Sequence, residues 1–174
     1  MSILTILQYP DSRLRRKGAV VTNFDDKSLQ KLIDDMFLSC KHYDGCAALA
    51  ATQLDVDNPP RLFVMNRPED EGGRMCFVDP EITATEGEEV AEEGCMSVYP
   101  SEISVPLARA KNITAKAFDR HGKPFTINLS EFWARVVQHE LDHLNGVLYI
   151  DRLSSLKRER VEKKVKKILE EKNS

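Results

Sequence analysis

Residues 138–146 read Q-H-E-L-D-H-L-N-G, two histidines four apart with a glutamate directly after the first. How this stretch folds decides what the rest of the chain must build around it. The run S-E-F-W-A-R-V-V-Q-H-E-L-D-H-L-N-G (130–146) predicts a helix over 131–145, with Ser130 as N-cap and Gly146 as the stop. At about 100° per residue, Phe132, Val136, His139 and His143 form one stripe, and Trp133, Val137, Glu140 and Leu144 the stripe beside it. Glu131, Arg135, Gln138, Asp142 and Asn145 share the opposite sector, which is expected to face water. Both histidines and Glu140 then point into the apolar interior. An ionised carboxylate buried beside imidazoles is costly unless it is paired or has chemistry to perform. One such histidine alone reads as a satisfied core residue. Two at i and i+4, with this glutamate beside them, favour a metal pair with its own base.

Outward from that helix, D-D-K-S-L-Q-K-L-I-D-D-M-F-L-S-C-K-H-Y-D-G (25–45) predicts a second amphipathic helix, with Leu29, Leu32, Ile33, Met36 and Phe37 at helical spacing. Short strands are expected in R-L-F-V-M-N (61–66), M-C-F-V-D-P-E-I-T-A-T-E-G (75–87), N-I-T-A-K-A-F-D (112–119) and P-F-T-I-N-L (124–129). D-R-H-G-K-P (119–124) reads as the hairpin turn between the last two, and His121 as a turn residue. A charged helix over about 153–171 closes the chain. The expected fold is α+β: one domain over 1–174, with short, mostly antiparallel strands around a central metal-binding helix.

The bulk numbers agree with a globular enzyme-sized domain. The chain has 174 residues, 41% hydrophobic and 30% charged, enough to bury a real core. A formal charge of −3 gives no global pull toward DNA or other nucleic acid. No apolar run approaches the roughly 20 residues that span a bilayer, so no membrane partner is expected. The opening M-S-I-L-T-I-L-Q-Y-P-D-S lacks the order of a secretory signal, and a cytoplasmic location with reduced thiols is expected.

Two histidines leave a catalytic ion one protein ligand short. Downstream of His143, L-N-G-V-L-Y-I-D-R-L-S-S-L-K-R-E-R contains no histidine, and its first glutamate is Glu159. Upstream, E-E-G-C-M-S (92–97) places Cys95 after a glycine at the end of a polar strand. A lone cysteine is more often a core residue, but beside an incomplete site it is the best third ligand. Cys40, Cys46 and Cys76 form no CxxC pair with it or with one another.

With these residues in hand, the sequence closely resembles the peptide deformylase family. C-A-A-L-A-A-T-Q (46–53), E-G-C-M-S (93–97) and Q-H-E-L-D-H (138–143) follow, in order, that family's motifs GxGLAAxQ, EGCLS and QHExDH. The likeness continues through I-L-Q-Y-P-D-S-R-L-R-R, V-D-P-E-I and H-L-N-G-V-L-Y-I-D-R-L. It implies one divalent ion, Fe(II) in the family and replaceable by Zn, Ni or Co, held by Cys95, His139 and His143 with water in the fourth position. It also implies removal of the formyl group from N-formylmethionine at the start of nascent polypeptides. An ion of this kind lowers the pKa of its water toward about 7. Glu140 is then the proton carrier, and the Gln53 amide and Met96 backbone N–H are the donors to the developing oxyanion. Ala48, Cys46 and Arg109 occupy positions implied to contact substrate. The resemblance further implies that the C-terminal helix docks on the ribosome.

The chain departs from the motif at both glycines, replaced by Cys46 and Ala48, and at Met96 in place of leucine. The segment between Gly94 and Arg109 is expected to run about two residues longer than usual. An alternative reading is a related metallo-amidase or peptidase with altered acyl specificity, since a methyl at residue 48 can reshape a pocket. A ribosome-binding module without catalysis is a more distant alternative.

Overall fold

The computed structural model describes residues 1–174 and has the α+β architecture expected. Its centre is a five-stranded antiparallel sheet in chain order: β1 (Ala48–Ala50), β2 (Leu62–Asn66), β3 (Arg74–Glu93), β4 (Val105–Phe118) and β5 (Pro124–Ser130). The helices are α1 (Lys27–His42), α2 (Glu131–Leu144) and α3 (Ser155–Lys172).

Strand β2 shows why the sheet is central. Leu62 and Val64 pack on one side and Phe63 and Met65 on the other, all fully buried. A strand covered on both faces has no polar alternation to offer, and the run L-F-V-M has none. Helix α1 covers the first face with Leu29, Ile33, Met36 and Cys40, spaced i, i+4, i+7, i+11. Its start is fixed by Asp26, whose carboxylate accepts from the Ser28 N–H at 2.8 Å. Ile33 and Met36 are wholly buried, each contributing roughly 1.5–3 kcal/mol of transfer free energy. Helix α2 covers the second face through Ala134, Val136, Val137 and Leu144, against Phe63, Phe77, Ile113 and Leu129.

Several boundaries differ from the sequence reading. Strand β1 was not expected, because three residues, two of them alanine, are too short to carry a strand pattern; it is held by pairing of Ala48 with Met65 and Ala50 with Phe63. Strand β3 runs unbroken where 75–87 and a separate polar stretch were expected. Its pairing with β4 absorbs Pro80 through register shifts between Val78 and Glu81 and between Ile82 and Ala84. Ser130 precedes α2 but its side chain makes no capping bond. Gly146 ends the helix as expected, at φ 75°, and a Cβ there would lie 2.4 Å from the Arg15 carbonyl oxygen. His121 sits exposed in the β4–β5 turn.

A third cluster joins the loop after β3, the stretch after α2, and α3. Val161 and Val165 pack there with Val98, Leu107, Leu148 and Ile150. Leu156, near the start of the same helix, is 59% exposed. No helix is long and apolar enough to cross a membrane.

Candidate active site

Helix α2 crosses the sheet with His139 and His143 one turn apart, and the loop between β3 and β4 brings Cys95 against them. The Cys95 Sγ lies 3.3 Å from His143 Nε2, and the two Nε2 atoms lie 3.2 Å apart. The ligand-capable atoms of Cys95, His139 and His143 all fall within 4.8 Å of one another, and all three residues are buried. His139 Nδ1 is 2.7 Å from Glu93 Oε2, so this nitrogen donates and Nε2 keeps its lone pair for the site. Burial and the neighbouring His139 hold His143 well below the usual histidine range, so it is neutral and able to ligate. His139 is instead raised, burial lowering it but the Glu93 and Glu140 carboxylates outweighing that, so ion uptake must displace any proton on its Nε2. A thiolate with two imidazole nitrogens is a donor set for a single divalent ion of the zinc or iron type. Burial pushes the free Cys95 thiol up, so uptake of an ion must release its proton.

Glu140 stands beside this trio. It is buried, and its Oε2 has no hydrogen-bond partner in the protein. Burial raises its carboxyl to about 8, with His139 working in the opposite direction. A nearby dication would favour the ionised form, which leaves a carboxyl able to take and return a proton near neutral pH.

Gln53 is fixed by its own turn. Its Oε1 accepts from the Ala50 N–H at 2.9 Å, which aims Nε2 at Ser97 Oγ (3.1 Å) and Cys95 Sγ (3.8 Å). Gln53 as a whole is 1% exposed, so its amide is committed to the site. The Met96 backbone N–H makes no hydrogen bond within the protein, whereas its carbonyl accepts from Gln8 Nε2 at 2.7 Å. Gln8 also takes the Tyr99 N–H on Oε1, and the Tyr9 N–H donates to the Ser97 carbonyl. The N-terminal segment thus clamps the loop that carries Cys95 and Met96. A cleft of about 580 Å³ opens over these groups, lined by Ala48, Gln53, Cys95, Met96, His139 and Glu140 among others.

Four expectations are corrected here. Arg109 does not line the cleft. Its side chain is 4% exposed and lies behind the histidine, giving Glu93 two bonds (3.0 and 2.7 Å) and Asp142 one (2.8 Å). Cys46 also turns away from the cleft, toward Cys40. The wet face assigned to α2 holds at Glu131 and Asn145 but not at Arg135 and Asp142, which are buried. Arg135 bonds Glu93 at 3.0 Å and the Leu107 carbonyl at 2.8 Å, while Asp142 accepts from Arg109 and Arg152. Phe132, placed on the inward stripe, is 55% exposed at the cleft.

These charges form one chain from Arg152 through Asp142, Arg109 and Glu93 to His139. Glu93 accepts from Arg109, Arg135 and His139 together, and despite its burial His139 and Arg109 hold it far below the usual carboxylate range. Its role was missed, although it begins E-G-C-M-S; the one signal was its place on the same strand face as Glu89 and Ala91, two residues before the thiol.

A buried carboxylate next to one thiol and two imidazoles, under an open cleft, defines a mononuclear metallohydrolase. Comparison with known proteins narrows that class. The polypeptide deformylase family model matches residues 3–159, and the chain belongs to that family. A peptide deformylase 1 from Coxiella burnetii is 46% identical over 163 residues, covering 94% of this chain and 95% of that protein. A crystal structure of a peptide deformylase from Legionella pneumophila superposes with TM-score 0.88 at 41% identity, covering 98% of each chain. A peptide deformylase from Ehrlichia chaffeensis, crystallised in complex with actinonin, gives TM-score 0.85 at 36% identity, covering 96% of this chain and 98% of its own.

Proposed function

We propose that this protein hydrolyses the N-formyl group of formylmethionine at the start of newly made polypeptides, releasing formate in the cytoplasm. The observation that carries the reading is the meeting of Cys95, His139 and His143 with Glu140 beneath an open cleft of about 580 Å³. Cys95, His139 and His143 would hold one divalent ion, Fe(II) in the cell. When bound, that ion polarises the formyl carbonyl and acidifies a water. Glu140 takes the proton from the water and returns it to the methionine nitrogen as the C–N bond breaks. The Gln53 amide, locked by Ala50, and the Met96 N–H donate to the carbonyl oxygen as its charge grows. Glu93 keeps the His139 ring turned with its bare nitrogen toward the site.

Ala48 lines the cleft on β1, where the resembled motif has glycine, and bears on which acyl group fits. Formyl-Met, acetyl-Met and unblocked Met peptides distinguish the deformylase from a related amidase. Formate release from the formyl peptide alone is expected, and faster cleavage of the acetyl peptide would favour the alternative.

The basic side of α3 supports a second element of the reading, docking on the ribosome. Lys163, Lys164, Lys166 and Lys167 are exposed, while Val161 and Val165 anchor the helix to its own domain. Changing these four lysines to glutamate is expected to abolish salt-sensitive co-sedimentation with ribosomes and to leave peptide hydrolysis unchanged. Undiminished co-sedimentation would remove this role.

A further inference from the structure

Cys40, in the last turn of α1, and Cys46, just before β1, have no part in the metal site, yet their sulfurs lie only 3.1 Å apart. A disulfide is 2.03–2.05 Å long, so about 1 Å of approach separates this pair from a bond. Each thiol is otherwise tied to the intervening turn. Cys40 Sγ donates to the Cys46 carbonyl and Cys46 Sγ to the Ala48 carbonyl, both at 3.3 Å. The two residues are 1% and 8% exposed, but both line a small groove of about 360 Å³ that opens to solvent. A small oxidant can therefore reach them.

The position of the turn gives this pair its interest. Asp44, Gly45 and Ala47 line both that groove and the substrate cleft, so residues 44–47 are a thin wall with the thiols on one side and the metal site on the other. Gly45 has φ 73° with nothing within 4 Å of where a Cβ would stand, so the turn has room to move. Closing the bond would remove the Cys46–Ala48 hydrogen bond and draw the start of β1 toward α1.

We propose that Cys40 and Cys46 are a redox-modification site, closed to a disulfide by hydroperoxides and reopened by dithiols, that shifts the wall of the substrate cleft. The effect on turnover rests on the deformylase reading; the bond itself does not. In the first step one sulfur, as thiolate, attacks the peroxide oxygen, the O–O bond breaks, and a sulfenic acid and an alcohol are formed. The second sulfur then attacks the sulfenic sulfur and expels hydroxide, which leaves as water. The two thiols lose two electrons and two protons, and the peroxide is reduced to alcohol and water. The neighbouring Cys40 thiol and burial both push Cys46 up, so the pair rests as a dithiol and closes more slowly than an exposed low-pKa sensor.

The test uses protein loaded with Ni(II) or Zn(II), so that the bound ion is not itself oxidised, and treated with tert-butyl hydroperoxide. Proteolysis and mass spectrometry should recover a Cys40–Cys46 crosslinked peptide, absent after dithiothreitol and absent in Cys40→Ala. The oxidised protein should show a KM for a formyl-Met peptide raised by about threefold to tenfold with kcat little changed, reversed by dithiothreitol. Cys40→Ala should keep basal activity and lose the response. A crosslink involving Cys95 or Cys76, or persistence of both free thiols, would overturn the site. A Cys40–Cys46 crosslink with unaltered KM would overturn the coupling to the cleft. If no hydrolysis of any formyl peptide is found, the crosslinked peptide alone still decides whether the thiol pair is a redox site.

Discussion

Glu140→Gln is expected to lower turnover on formyl-Met peptides by about 10²–10⁴-fold while the bound ion is retained. The change keeps the size of the side chain and removes its ability to carry a proton. Little structural cost should accompany it, because Glu140 Oε2 has no protein partner to lose. A carboxyl raised to about 8 by burial is already mostly protonated near neutral pH, so a neutral amide of the same size replaces it at little cost in the ion-free protein. Unfolding midpoints should therefore stay equal or rise as kcat falls. Wild-type turnover in this variant would show that another group moves the proton. Loss of the ion would show that Glu140 is a ligand.

Cys95→Ser is expected to weaken metal binding by about 10²-fold or more, since an outer partner of a ligand is already worth about 10–100-fold. A serine hydroxyl stays neutral where the cysteine sulfur ionises on binding, and it is a harder, weaker donor. His139 and His143 would remain, supported by Glu93 and by the Thr52 hydroxyl on the His143 carbonyl. Two imidazoles alone make a site that a chelator empties readily. Cys76→Ser is the control. Its thiol is buried, pushed up to about 12 by that burial, and lies in a different cluster, so metal content should not change. Full occupancy in Cys95→Ser at low free metal would remove the sulfur from the ligand set.

Much of the site was legible because one helix carries most of it. A spacing of four residues puts His139 and His143 on the same face whatever surrounds the helix, and Glu140 follows by the same geometry. The third ligand was legible only by elimination, with the family resemblance bringing it into place. Polarity misled on Arg135 and Asp142. A charged residue was assigned to water, but each is buried because its partners come from other elements: Glu93 and the Leu107 carbonyl for Arg135, Arg109 and Arg152 for Asp142. Two opposite charges that meet only in the folded state leave no periodic trace in either segment.

Arg109 illustrates the converse error. An arginine after a substrate-proximal loop was expected to reach the substrate, and the strand alternation of β4 turns it inward onto Glu93 instead. Phe132 obeys the helical stripe yet is exposed, because the first turn of α2 lines the cleft mouth and is not covered there. The clamp by Gln8 spans 88 residues to Met96 and had no local signal.

The single-ion site is tested most directly by titrating chelator-stripped protein with Fe(II) or Ni(II) under argon, following formate release from a formyl-Met peptide. Hydrolysis should be absent without ion, rise linearly to one equivalent and level off beyond it, and Cys95→Ser should need far more ion to reach any activity. Formate release from fully stripped protein, or a rise continuing to two equivalents, would contradict a single ion held by Cys95, His139 and His143.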